Sequence, residues 1–161
     1  MISEIMKKMI EQTNGNTHDI DHFIKVWTYS KLIGELEKLD ENTQLILEIA
    51  AITHDIACPK CREKYGNTNH RYQEKEGMVL VSEFLNKFDL TDEQKARAVY
   101  LVGHHHTLKD INGQDYQILI EADYIVNADE MNFSMENIKN FADKVFKTET
   151  GLSLLKTIYK L

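Results

Sequence analysis

Leu45-Ile46-Leu47-Glu48-Ile49-Ala50-Ala51-Ile52-Thr53-His54-Asp55-Ile56 is the most hydrophobic run in the chain, and its reading decides the fold. The run is long for a strand and ordinary for a helix. Its alanine pair favours helix, and Asn42 just upstream is a candidate N-cap. Wound as a helix, the run places Leu47, Ala50, Ala51 and His54 on one side. It closes in a His-Asp doublet. Burial of an unpaired carboxylate costs several kcal/mol, so a segment this apolar should not end in an acid without a partner for it.

Outward from that run, the chain predicts helices almost everywhere. Ile2–Thr13 forms one and stops at Asn14-Gly15. A second covers about Asp19–Leu39, with His22, Val26, Tyr29, Ile33 and Leu36 in one stripe. Cys58–Tyr72 is polar and contains Pro59, Gly66 and Asn67, which predicts an ordered loop. Gln73–Phe88 follows as a helix. Thr91-Asp92-Glu93-Gln94 is a capping box that opens the next, which ends in Gly103-His104-His105-His106. Asp110–Gly113 is a turn. A helix over about Asp115–Asp129 carries Tyr116, Leu119, Ile120, Asp123 and Val126 on one side. Ser134 caps another, and Glu149–Leu161 is an amphipathic tail. The expectation is an all-α single domain over residues 1–161, a bundle of about seven to eight helices. The candidate site lies within about 17–130, and the C-terminal helices occupy about 134–160.

Composition narrows the function classes. The chain has 161 residues, a net charge of −7, a single proline and two cysteines. Proteins that grip long nucleic acids need a basic face to neutralise phosphates, and none is suggested here. The N-terminus is too polar for a signal peptide, and no apolar run is long enough to span a bilayer. A cytoplasmic protein is expected, with no membrane or long nucleic-acid partner. The tail helix could cover its own domain or a second copy of the chain, so a homo-oligomer is open.

Three polar placements carry the functional reading. His22 lies on an apolar helix face, His54-Asp55 ends the most hydrophobic helix, and Asp123 sits within QILIEADYIV. Each alone could be a hydrogen-bonded core residue. Together, two histidines and two aspartates would satisfy one another around a divalent ion such as Mn²⁺, Fe²⁺, Co²⁺, Ni²⁺ or Zn²⁺.

With these residues the sequence resembles the HD-domain metal-dependent phosphohydrolase superfamily. The matching segments are DIDHFIKVWTYSKLIGELE around His22, EIAAITHDIA around the doublet and ILIEADYIVNADE around Asp123. The resemblance implies a helical bundle with a metal between its helices and His22, His54, Asp55 and Asp123 as ligands. It implies hydrolysis of a nucleotide or related small phosphate ester. Some relatives hold two metals bridged by the doublet aspartate, and the candidates for a second ion or for catalysis here are His70, Glu74, Glu76, His105 and His106. Where such relatives carry a histidine shortly before a helix glycine, this chain has Gln73 and Glu74 ahead of Gly77. In the histidine run, His105 follows Val102 and Val99 at core spacing and is the first choice for the site.

A metal-bound water made acidic enough to yield hydroxide is the expected nucleophile. Glu76, Asp129 and His105 are candidates to carry a proton. Lys25, near the face of His22, and Arg62, Lys64 and Arg71, after the doublet, are candidate phosphate-binding cations, although exposed solubilising charge is the commoner role. Cys58-Pro59-Lys60-Cys61 lacks the second pair a structural zinc needs, and reads as reduced cysteines. The alternative to an enzyme is a non-catalytic helical module that senses a nucleotide or metal with the same pocket.

Overall fold

The computed structural model describes residues 1–161 and is entirely helical. Nine α-helices follow one another: α1 (Ile2–Gln12), α2 (Thr17–Leu36), α3 (Glu41–Thr53), α4 (Cys58–Tyr65), α5 (His70–Leu85), α6 (Asp92–Val102), α7 (Gln114–Glu130), α8 (Met135–Lys144) and α9 (Glu149–Tyr159). Most starts are fixed by side chains that satisfy the free N–H groups of the first turn. Asn16, Asn69, Ser134 and Thr148 each accept a backbone N–H, and Thr91 with Gln94 forms the reciprocal capping box. Asp40, not Asn42, caps α3 by accepting from the Thr43 N–H at 3.0 Å. No helix is long and apolar enough to cross a membrane.

The central helix α3 explains its own composition. Ile46, Leu47, Ala50 and Ala51 face one core, shared with α2, α6, α7, α8 and α9. Ile49 and Ile52 face a second core, shared with α1, α5 and α6. A helix that separates two cores must be apolar all round, and residues 46–53 are all buried. Helix α7 is similarly enclosed, with buried residues from Asp115 to Ala128.

Two expectations need correction. The segment after the doublet is not a loop throughout, because Cys58–Tyr65 forms α4. Pro59 lies in its first turn, where a missing N–H costs nothing, and Gly66 ends it in the left-handed region at φ 71°. The proline and glycine punctuate this helix rather than breaking it. In α2, the buried residues are His22, Phe23, Val26, Ser30, Ile33 and Gly34, whereas Leu36 is 59% exposed. The buried face is centred roughly 60° round from His22 at about 100° per residue. His22 therefore stands at the rim of the core face, turned toward the end of α3.

Candidate functional site

Four helices deliver the polar side chains to one place. His22 comes from the start of α2, His54 and Asp55 from the end of α3, His105 and His106 from the end of α6, and Asp123 from the middle of α7. The Nε2 atom of His22 lies 3.1 Å from Nε2 of His54, 3.2 Å from Oδ1 of Asp123 and 3.3 Å from Oδ2 of Asp55. Nε2 of His54 lies 3.4 Å from Asp123 Oδ1 and 3.5 Å from Asp55 Oδ2. Ligand atoms bound about 2.1 Å from one ion stand roughly 3.0–3.4 Å apart when adjacent, so this spacing is that of a coordination shell.

The hydrogen bonds sharpen that reading. His22 donates from Nδ1 to Glu130 Oε2 at 2.7 Å, and His54 donates from Nδ1 to the Ala51 carbonyl at 2.8 Å. His105 makes the same bond to the Val102 carbonyl at 2.7 Å. With Nδ1 protons committed outward, each ring turns Nε2 inward. Two inward nitrogens and two carboxylates then face one another across about 3 Å, and they need positive charge between them. Asp123 Oδ1 and His105 Nε2 are buried without a hydrogen-bond partner. The donor set fits a divalent ion.

Protonation is the other way to supply that charge. Burial alone would push His22 down, but the carboxylates of Asp123, Asp55 and Glu130 outweigh it and lift its pKa to about 10. Burial opposes ionisation of Asp55 and Asp123 too, yet the surrounding imidazoles hold both well below the usual carboxylate range.

A second group adjoins the first. Asp55, His105 and His106 each offer an atom within 4.8 Å of the others. Asp55 turns Oδ2 to the first group and Oδ1 to His105 Nε2 at 3.6 Å. His106 interacts through Nε2 with Gln73 Oε1 at 2.9 Å, and its backbone N–H donates to Glu74 Oε1 at 3.1 Å. Burial, with His105 beside it, pushes the His106 pKa down to about 3. Gly77 lets α5 approach this end of α6, since a Cβ there would meet Val102 Cγ1 at 3.2 Å. His70 is exposed and stacks on His106, with ring centroids 3.7 Å apart.

The remaining candidates separate. Arg62 lines the same cleft as His22, Asp55 and Asp123, and is held there by both oxygens of Asp19 at 2.6 and 2.8 Å. Lys25 pairs with Glu130 at 3.5 Å. Lys64 does not reach the cleft: with Lys60 and Tyr65 it binds Glu76, at 2.8, 2.8 and 2.7 Å. These contacts hold the Glu76 pKa down at about 2. Glu76 thus ties α4 to α5 instead of joining the histidines. Arg71 is exposed and lies over the Tyr72 ring at 5.3 Å. Asp129 is exposed. Cys58 and Cys61 are unpaired and buried on α4.

Glu130, which bonds the His22 ring at the candidate site, is the residue that the sequence did not single out. It ends α7 among polar residues and looks like a solvated helix terminus. Only its spacing of seven residues from Asp123, about two turns along the same helix, hinted that it shares a face with the site.

Comparisons with known proteins agree with the geometry. The HD domain model matches residues 19–140. The fold is similar to that of a solved structure of a predicted HD superfamily hydrolase from an uncultured Thermotogales bacterium. The TM-score is 0.69 and the identity 22%, over 99% of this chain and 83% of that one. No curated protein matches the sequence. Doublet, inner-face histidine and buried aspartate stand on the helices that the HD domain match spans, and the chain belongs to the HD domain family, a superfamily of metal-dependent hydrolases.

Proposed function

We propose that the chain is a phosphohydrolase that acts on a nucleotide or related small phosphate ester at a divalent metal held by His22, His54, Asp55 and Asp123. The observation that carries this reading is the set of inward Nε2 atoms and carboxylates with Asp123 Oδ1 unpartnered in the interior. Asp55, with one oxygen toward each group, would share a second ion with His105 and His106. A bound divalent ion supplies a water ready to lose its proton and offsets charge on phosphoryl oxygens. The protein's own part is orientation. Glu130 fixes the His22 ring, the helix carbonyls of Ala51 and Val102 fix His54 and His105, and Asp19 takes both ends of the Arg62 fork and so holds its positive charge at the cleft wall.

Elemental analysis and a phosphate-release panel test the proposal together. Purified protein is expected to carry at least one equivalent of transition metal, and to release phosphate from one or more esters in an Asp55-dependent way. Failure to take up Mn²⁺, Fe²⁺ or Zn²⁺ would remove the metal. Metal uptake and tight nucleotide binding without turnover would leave a sensor instead of an enzyme.

A further inference from the structure

A separate cavity of about 290 Å³ lies among α1, α2, α4 and α5. None of the histidines lines it, and only Asp19 and Asp55 line both this cavity and the polar cleft. Its floor is apolar. Met9, Phe23, Ile56 and Phe84, each at most 5% exposed, turn part of the second core toward it.

The mouth is charged. Glu83 and Lys87 are exposed and stand one turn apart on α5, yet form no ion pair at a spacing that allows one. Lys87 lies over the Phe84 ring at 5.8 Å instead. Lys60, from the first turn of α4, shares the Glu76 carboxylate with Lys64, at 2.8 Å each. Gln12 spends its amino group on Met9 Sδ at 3.4 Å, a weak acceptor. The other two acids are committed, Asp19 to Arg62 through both oxygens and Asp55 to the histidines.

These features select an occupant. The floor suits an apolar body. A lone carboxylate at the mouth would meet Glu83, and a lone ammonium would meet Lys60 and Lys87, whereas a head group with both charges satisfies both. Ligand cavities run from roughly 300 to 1,000 Å³, so the occupant is a small one. We infer that this cavity binds an apolar α-amino acid, with its side chain on the Phe23–Phe84 floor, its carboxylate toward Lys60 and Lys87 and its ammonium toward Glu83. Asp55 and Ile56 form part of the wall, so the occupant presses on the segment that carries the doublet and acts as an effector of the candidate metal centre. That effector role rests on the metal reading proposed above; the binding does not.

L-phenylalanine, 3-phenylpropanoate and 2-phenylethylamine share one ring and differ in head group. Titrated into the full metal-free chain, L-phenylalanine should shift the backbone amide NMR signals of Phe84 and Lys87, with a dissociation constant of about 1 mM. Each of the other two should bind roughly tenfold more weakly. Glu83→Gln, a change at an exposed position, should weaken L-phenylalanine about tenfold and strengthen 3-phenylpropanoate. No shift at concentrations well above the millimolar range would overturn the site. Equal binding of all three compounds would leave a merely apolar pocket and overturn the ligand class. His105 does not line the cavity and faces Asp55 Oδ1 at 3.6 Å, so its imidazole signals report transmission. They should move as L-phenylalanine binds, and if they stay fixed while the cavity fills, the effector role falls. Failure of metal uptake in elemental analysis would sink the metal reading and leave these titrations to decide the cavity.

Discussion

Glu121 and Asp123 lie two residues apart on α7 and are both buried, at 0% and 5% exposure, yet they do opposite things. Glu121 is saturated from within the chain. Its Oε1 accepts from Gln117 Nε2 at 2.8 Å and from the backbone N–H groups of Lys147 and Thr148 at 2.7 and 3.0 Å, and its Oε2 accepts from the Thr148 hydroxyl. Gly151 leaves room for this carboxylate, which a Cβ there would overlap. Asp123 Oδ1 has no donor and faces two imidazole nitrogens. Burial does not distinguish a structural acid from a candidate ligand. The supply of protein donors does.

That contrast can be broken by substitution. The largest effect is expected from Asp123→Ala, which should reduce bound metal from near-stoichiometric to background in elemental analysis while the helical circular dichroism persists. Retention of metal would place the ion elsewhere. Glu121→Ala should do the reverse. It leaves the donors of the 147–148 turn unpaired and should cost about 3 kcal/mol in denaturant unfolding, with metal content unchanged. Glu130→Gln keeps the shape of the acid that orients His22 but weakens its hold on the ring. A roughly 10–100-fold loss of metal affinity, read by chelator competition, is expected.

A third buried carboxylate sharpens the comparison by pH. Lys60, Lys64 and Tyr65 lower the Glu76 pKa from 4.5 to about 2. A depressed carboxylate stabilises the fold above its unfolded pKa and loses that contribution as pH falls through the folded value. Wild-type protein should therefore lose stability between about pH 5 and about pH 2, and Glu76→Gln should flatten part of that decline. Denaturant midpoints at several pH values would read it. The effect should be the smallest of the four, because the partner lysines are largely exposed.

Much of this architecture was legible in sequence because helix periodicity exposes misplaced polar residues. His22, the doublet and Asp123 stand out where the surrounding pattern is apolar, and the structure brings all four together. Glu130 did not stand out, because an acid among Asn127, Asp129 and Asn132 has no apolar context to violate. Lys64 and Glu76 misled for a related reason. Their charges look equally suited to a phosphate, a metal or each other, and only the packing of α4 on α5 decides. Helix α4 is not legible in sequence, because Pro59 and Gly66 look like loop residues until their places in its first turn and at its C-cap are known.

The bonds from His54 to the Ala51 carbonyl and from His105 to the Val102 carbonyl are the same local device, used at the ends of two helices. Each imidazole finishes its own helix and is anchored before any ion arrives. The orientation of these two rings is therefore set by their own helices, independently of what the site would hold. Stripping the metal should therefore leave the ring orientations intact, and reloading should be a simple exchange without refolding. For a site with mixed nitrogen and oxygen donors, availability would weigh alongside geometry and ligand type in deciding which divalent ion is bound.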